Sequence, residues 1–187
     1  MAFPPAHMLI GVGLVEVACA GMRHPPPRWL AWSVGAVLAA APDADILVGI
    51  LRGRGGADHG TFSHSLVAVL IIALMGYVAG GGRWTAIAGL AYGSHLLVDL
   101  MDDSGPTNLH LAWPFSAERS YSIWPVFPKV PVAGDGIVDK ALNALRPPAL
   151  TSLLLQTLMA AAVFTALLLV AGAIRRHRAR PAGEAAA

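Results

Sequence analysis

The segment "HLLVD" sets His95 and Asp99 four residues apart. On a helix they stand one turn apart, with Cβ atoms about 5–6 Å from each other, so both can reach one cation. Imidazole nitrogen and carboxylate oxygen ligate zinc at about 2.0–2.2 Å, and three protein ligands with one position left open make the catalytic form of such a site. Three other stretches carry the same residue types: His7, then Asp43 and Asp45 in "PDAD", then His59 and His64 in "HGTFSHS". Each has an ordinary explanation when taken alone. A His and Asp one turn apart form an internal hydrogen bond, an Asp after proline is a turn or cap residue, and Thr61 or Ser63 serves as an N-cap. Together they weigh differently, because carboxylates near hydrocarbon must protonate or find a cation. Two divalent ions with one hydroxide would bring the three negative charges of Asp43, Asp45 and Asp99 near neutrality.

The elements that must position these residues are membrane helices. The 187-residue chain is 56% hydrophobic and only 13% charged, about half the charged share of a soluble domain. The clearest span is 149–174, an uncharged run longer than the roughly 20 residues that cross the hydrocarbon core, and it leads directly into "RRHRAR". Shorter candidates lie at 6–22, 29–41, 66–80 and 84–101; they carry polar residues and include segments that pack inside the bundle. The expected fold is therefore all-α, a polytopic membrane bundle of about five helices with a metal cluster at one membrane face. The prolines of "RHPPPR" end the first helix, Pro42 ends the second, and "GGGR" separates the third from the fourth. Counting turns puts the start of the first helix, end of the second, start of the third, end of the fourth and start of the fifth on one face. All seven candidate ligands fall there. Residues 1–174 form one domain, in which 102–148 is an interfacial connection or lid, and 175–187 form a basic, disordered tail.

The remaining polar and aromatic residues have plainer roles. Glu16 is about half a turn round the helix from His7 and pairs within the bundle. His110 is a solvated loop histidine, and Trp113, Phe115, Tyr121, Trp124 and Phe127 form an interfacial aromatic belt. Cys19, the only cysteine, excludes an internal disulfide and a multi-cysteine metal site. No basic stripe supports nucleic-acid binding. The chain has no Lys or Arg before Arg23, so the first helix lacks the charged leader of a cleavable signal and is expected to stay in place.

The order His7, "PDAD", "HGTFSHS", "HLLVD" and "WPF" resembles the YdjM-type membrane-bound metal-dependent hydrolases, inner-membrane-associated proteins distantly similar to zinc-dependent phospholipase C and P1-type nucleases. Those helical enzymes hold a trinuclear zinc site. The resemblance covers about residues 1–128 and implies His7, Asp43, Asp45, His59, His64, His95 and Asp99 as ligands or their supports. It departs at Gly60 and Thr61, where family members commonly carry Arg and Gly; an anion-holding role then falls to Arg52, Arg54 or Arg119, or the substrate differs.

The expected chemistry is hydrolysis of a phosphoester or lipid-like substrate by metal-activated water, with two or three zinc ions (or manganese or iron) and with Asp43 or Asp45 assisting proton transfer. The partners are membrane lipids, including a phospholipid or other amphiphilic substrate. A divalent-metal transporter and a non-catalytic scaffold are the alternatives. Seven arginines, Arg23, Arg28, Arg83, Arg175, Arg176, Arg178 and Arg180, lie close to helix ends opposite the site. Basic flanks favour the cytoplasm, so the cluster is expected to face outward from the inner membrane.

Overall fold

The computed structural model describes residues 3–54, 59–102, 109–128, 130–131 and 142–180. Pro4 and Pro5 open the first helix, α1 (Pro4–Gly21), where a missing N–H leaves no bond unmade. Two more helices follow the proline turn: α2 (Arg28–Ala40) and α3 (Ala44–Leu51), joined by a 3-10 turn at Ala41–Asp43. Pro42 does end α2, but it lies in the first turn of the 3-10 segment, where it costs no hydrogen bond, and the chain resumes as helix. A second 3-10 turn, Phe62–His64, precedes α4 (Leu66–Gly80) and α5 (Gly82–Leu100). The last helix, α6 (Pro147–Ala179), is 33 residues long, or about 50 Å at 1.5 Å per residue.

Five helices, α1, α2, α4, α5 and α6, pack in one bundle to which α3 is joined through the Ala41–Asp43 turn, without a β-strand among the described residues. Central α1 touches α2, α5 and α6, while α4 packs on α5. Close approach depends on small side chains: a Cβ on Gly11 of α1 would stand 2.5 Å from Cβ of Ala39 on α2, the kind of contact through which membrane helices associate. Gly81, at φ +73°, reverses the chain between α4 and α5, in a region that L side chains avoid.

The outer surface is apolar. No residue of α4 is buried; Leu70 is 68% exposed and Val78 81%, and on α6 Leu158 and Leu169 are equally bare. Such a surface is stable against hydrocarbon, not water. Among the described residues, three helical stretches are long and apolar enough to cross a membrane: Pro4–Gly21, Arg28–Leu51 and Pro147–Ala179. At 15 residues, α4 reaches about 22 Å, less than a hydrocarbon core of about 30 Å. The polar residues Ser94, His95 and Asp99 make α5 an interior helix.

Several expectations need correction. The N-cap of α4 is Ser65, which accepts from the Ala68 N–H at 3.1 Å; Thr61 lies four residues too early and Ser63 two. Phe127 is 2% exposed and packs with Ala6, Ile10, Val98 and Ala160, because backbone bonds from Val126 and Phe127 to the Met101 carbonyl draw it inward. Trp113, Phe115, Tyr121 and Trp124 do stay outside. The basic run placed in a disordered tail is helical through Ala179, tied by bonds from Arg178 to the carbonyls of Ala20 and Met22; residues 181–187 lie outside the described part. So do 103–108, 129 and 132–141 of the proposed lid.

Candidate metal centre

Four helical elements and the loop that carries His59 deliver the candidate ligands. His7 comes from the second turn of α1, Asp43 from the 3-10 turn after α2, His64 from the 3-10 turn before α4, and His95 with Asp99 from the last turns of α5. Their donor atoms fall into two groups, His7 with His95 and Asp99, and Asp43 with His59 and His64; within each group the atoms lie within 4.8 Å of one another. The groups adjoin, since His95 Nε2 is 3.4 Å from Asp43 Oδ1 and His64 Nε2 is 3.7 Å from Asp99 Oδ2. The ring of His7 stacks on His95 at 3.8 Å, and its Nε2 lies 3.5 Å from Asp99 Oδ1.

The outer nitrogens of three imidazoles are already engaged. His95 Nδ1 lies 2.7 Å from the Ala39 carbonyl, which can only accept, so Nδ1 carries the proton and Nε2 faces the cluster. His59 Nδ1 is 2.6 Å from Asp45 Oδ1, and His64 Nδ1 is 3.3 Å from Asp45 Oδ2. A carboxylate behind the ring fixes the same tautomer there, as second partners of metal-binding histidines do. The consequence is electrostatic. The inward Nε2 atoms of His64 and His95 stand 3.2 Å apart with carboxylates on both sides; with both rings neutral and protonated on Nδ1, lone pair would face lone pair. Asp99 is 2% exposed, and neither of its buried oxygens takes a hydrogen bond from a described residue. Only protons or a cation can relieve such a convergence. In each group, buried or half-buried imidazole nitrogens and carboxylate oxygens, the donor types of a divalent-metal site, lie within 4.8 Å of one another, so this donor set fits a metal in burial and ligand chemistry.

Asp45 takes a different position from the other carboxylates. It accepts from the Gly60 N–H at 3.3 Å and the Ser63 hydroxyl at 2.6 Å as well as facing His59 and His64, and among the described residues it belongs to neither ligand group. Ser63 also lies 2.9 Å from His64 Nδ1, and the Tyr92 hydroxyl donates to the Ser63 carbonyl at 2.8 Å. These supports were not visible in the sequence: Ser63 reads locally as a cap, and nothing near Tyr92 or Ala39 signals a role. Burial disfavours charge on His64, but the carboxylates of Asp43 and Asp45 outweigh it and hold its imidazole above the ordinary histidine range.

Access to the cluster is one-sided. The side chains of His7, His64 and His95 are wholly buried, whereas Asp43 is 20% exposed and His59 10%. Of the arginines considered as substitutes for an anion-holding residue, Arg52, Arg54 and Arg119 are all exposed. At the other end of α1, buried Glu16 pairs with Arg28 and Arg175, each at 2.9 Å, and accepts from the Trp32 indole N–H at 2.7 Å. Glu16 therefore ties α1, α2 and α6 together away from the cluster, and "RRHRAR" is at the end opposite the site.

Comparison with known proteins follows the same outline. The model of the family described as YdjM inner membrane protein matches residues 1–179. The inner membrane protein YbcI of Escherichia coli (strain K12) is 32% identical over 136 residues, covering 67% of this chain and 73% of that protein. No solved structure matches. A helical bundle with membrane-length apolar helices, matched by this family model over nearly its whole length, belongs to the YdjM inner membrane protein family.

Proposed function

We propose that the protein is a membrane-bound, metal-dependent hydrolase that cleaves a phosphoester or lipid-like substrate with water. The carrying observation is the pair of adjoining His/Asp groups in which the imidazoles of His59, His64 and His95 are fixed from behind and turn Nε2 inward. Divalent ions bound there, zinc first by donor chemistry and manganese or iron next, would lower the pKa of water toward neutrality and polarise a phosphoryl oxygen. His7, His95 and Asp99 would hold one, and Asp43, His59 and His64 another. Asp43 stands on the accessible side, placed to take a proton from incoming water, while Asp45 holds His59 and His64 in register. The buried rings of His7, His64 and His95 keep bulk water from the inner half of the site.

Two other readings compete, a divalent-metal transporter and a non-catalytic scaffold. A transport site belongs near the bilayer midplane, whereas His7, His64 and Asp99 sit close to helix ends, although Asp43 and Asp45 fall within the Arg28–Leu51 stretch, and a scaffold has no use for a converging set of imidazoles and carboxylates. The arginines of 175–180 at the opposite end support an extracytoplasmic position for the site, since basic flanks favour the cytoplasm. The test is elemental analysis of detergent-purified protein together with a phosphoester and phospholipid panel. Stoichiometric metal, with turnover lost to chelator and restored by added divalent ion, is expected. Fully metallated protein without turnover, or turnover indifferent to chelator, would overturn the hydrolase.

A further inference from the structure

An apolar groove of about 290 Å³ runs beside the site, lined by Phe62, Val67, Ala68, Ile71, Ile72 and Trp113 over a floor that includes Ser63, Ser65 and Tyr92. The donors of its three hydroxyls are already spent. The Ser65 hydroxyl donates to the Phe62 carbonyl and caps Ala68, that of Ser63 donates to Asp45, and that of Tyr92 donates to the Ser63 carbonyl. A polar ligand would find no free hydroxyl donor among them, whereas hydrocarbon needs none. The surrounding face of α4 is bare: Leu66 is 57% exposed, Leu70 68% and Ile71 53%, so the groove opens where the bilayer supplies acyl chains. It starts at the level of the metal cluster, because the turn Phe62–His64 forms its wall on one side and presents His64 to the cluster on the other. From Ser65 to Ile72 it descends about 10 Å along α4, at 1.5 Å per residue. The rings of Phe62 and Trp113, edge to face at 6.5 Å, flank the upper end.

We propose that this groove seats one acyl chain of a membrane lipid, drawn laterally from the leaflet, with its head group at the level of Asp43 and His59. As a statement about substrate it rests on the hydrolase reading; as a statement about lipid binding it does not. The test uses protein reconstituted in nanodiscs of phosphatidylethanolamine and phosphatidylglycerol that contain a phospholipid with a diazirine on one acyl chain. Photolabelling should concentrate on Phe62, Val67, Ile71 and Trp113 over Leu74, Val78 and Leu158, which are bare but outside the groove. Ala68→Trp and, separately, Ile72→Trp should fill the groove and cut that labelling about tenfold with metal content unchanged. In active protein the same variants should lose turnover of the long-chain phospholipid and keep that of a short, water-soluble phosphoester. Uniform labelling of the apolar surface, labelling unchanged in both Trp variants, or protein-to-protein crosslinks from the groove in place of lipid adducts would overturn the proposal. Localised labelling in a protein with no turnover would uphold the lipid groove and sink only the hydrolase.

Discussion

Replacing Asp45 by Asn separates a residue that holds ligands in place from one that binds metal. Asp45 Oδ1 faces the His59 Nδ1–H, while Oδ2 accepts from the Gly60 N–H and the Ser63 hydroxyl. Asparagine keeps the shape and supplies one acceptor and one NH2 group. With the NH2 toward His59, two donors oppose each other and His59 must move its proton to Nε2, which removes that atom as a ligand. With the NH2 turned the other way, it opposes Gly60 and the Ser63 hydroxyl must rotate. Either orientation loosens His59 and His64 without deleting a ligand atom. Loss of such outer partners typically lowers metal affinity about 10- to 100-fold, or roughly 1.4–2.8 kcal/mol. Competition against a chromogenic zinc chelator in detergent should show this weakening, while elemental analysis at saturating zinc should show the same number of ions as the parent protein. Loss of a whole metal equivalent would make Asp45 a ligand, and unchanged affinity would show that its hydrogen bonds do not position the histidines.

Asp99→Ala should behave in the opposite way and lose at least one metal equivalent while still inserting in the membrane; unchanged zinc, manganese or iron stoichiometry would remove Asp99 and its helix partner His95 from the site. Metal affinity should fall as pH drops from about 8 to about 6, because the proton held above the ordinary range on His64 must leave before the nitrogen can bind. The fall approaches about tenfold per pH unit for each displaced proton once pH is below that raised value, and a pH-independent affinity would show that His64 is no ligand. Gly11→Leu would drive a side chain into Ala39, 2.5 Å from the first added atom; at a cost of about 1–3 kcal/mol for overpacking, its thermal midpoint in detergent should fall clearly, and an unchanged midpoint would show that α1 and α2 are less tightly packed than described. For orientation, single cysteines at positions 57 and 182, both outside the described residues, in a Cys19→Ala background should give labelling at 57 alone when intact cells meet an impermeant thiol reagent, and labelling at 182 alone would reverse the topology.

Much of the centre was legible before folding, for a local reason. An α-helix fixes the separation of residues four apart whatever it packs against, so His95 and Asp99 could be paired from "HLLVD" alone. Alternating helices also fix which ends lie together, which gathered His7, Asp43, His59 and His64 at one face. The apolar length of 149–174 stated the solvent, because no other medium tolerates so long an uncharged surface. Glu16, placed away from His7 by helical phase, was likewise readable.

Tertiary packing decided everything that depends on atoms far apart in the chain. Three carboxylates in short motifs look alike, yet Asp99 is enclosed among imidazoles, Asp43 opens to the accessible side, and Asp45 stands behind two histidines because the 59–64 segment folds over the start of α3. The proton on His95 is assigned by the carbonyl of Ala39, 56 residues away in sequence, through a helix contact that no local pattern encodes. Ser65 and Ser63 are equally good caps by composition, and only the 3-10 turn before α4 assigns one to the helix and the other to Asp45. Phe127 matched the belt by type, but its backbone bonds to Met101 took it into the core. The sequence thus determined which residues are available and which helix ends meet; the packing of those helices determined which nitrogen and which oxygen each residue presents, since hydrogen-bond direction is set by partners that only the folded chain brings within 3 Å or so.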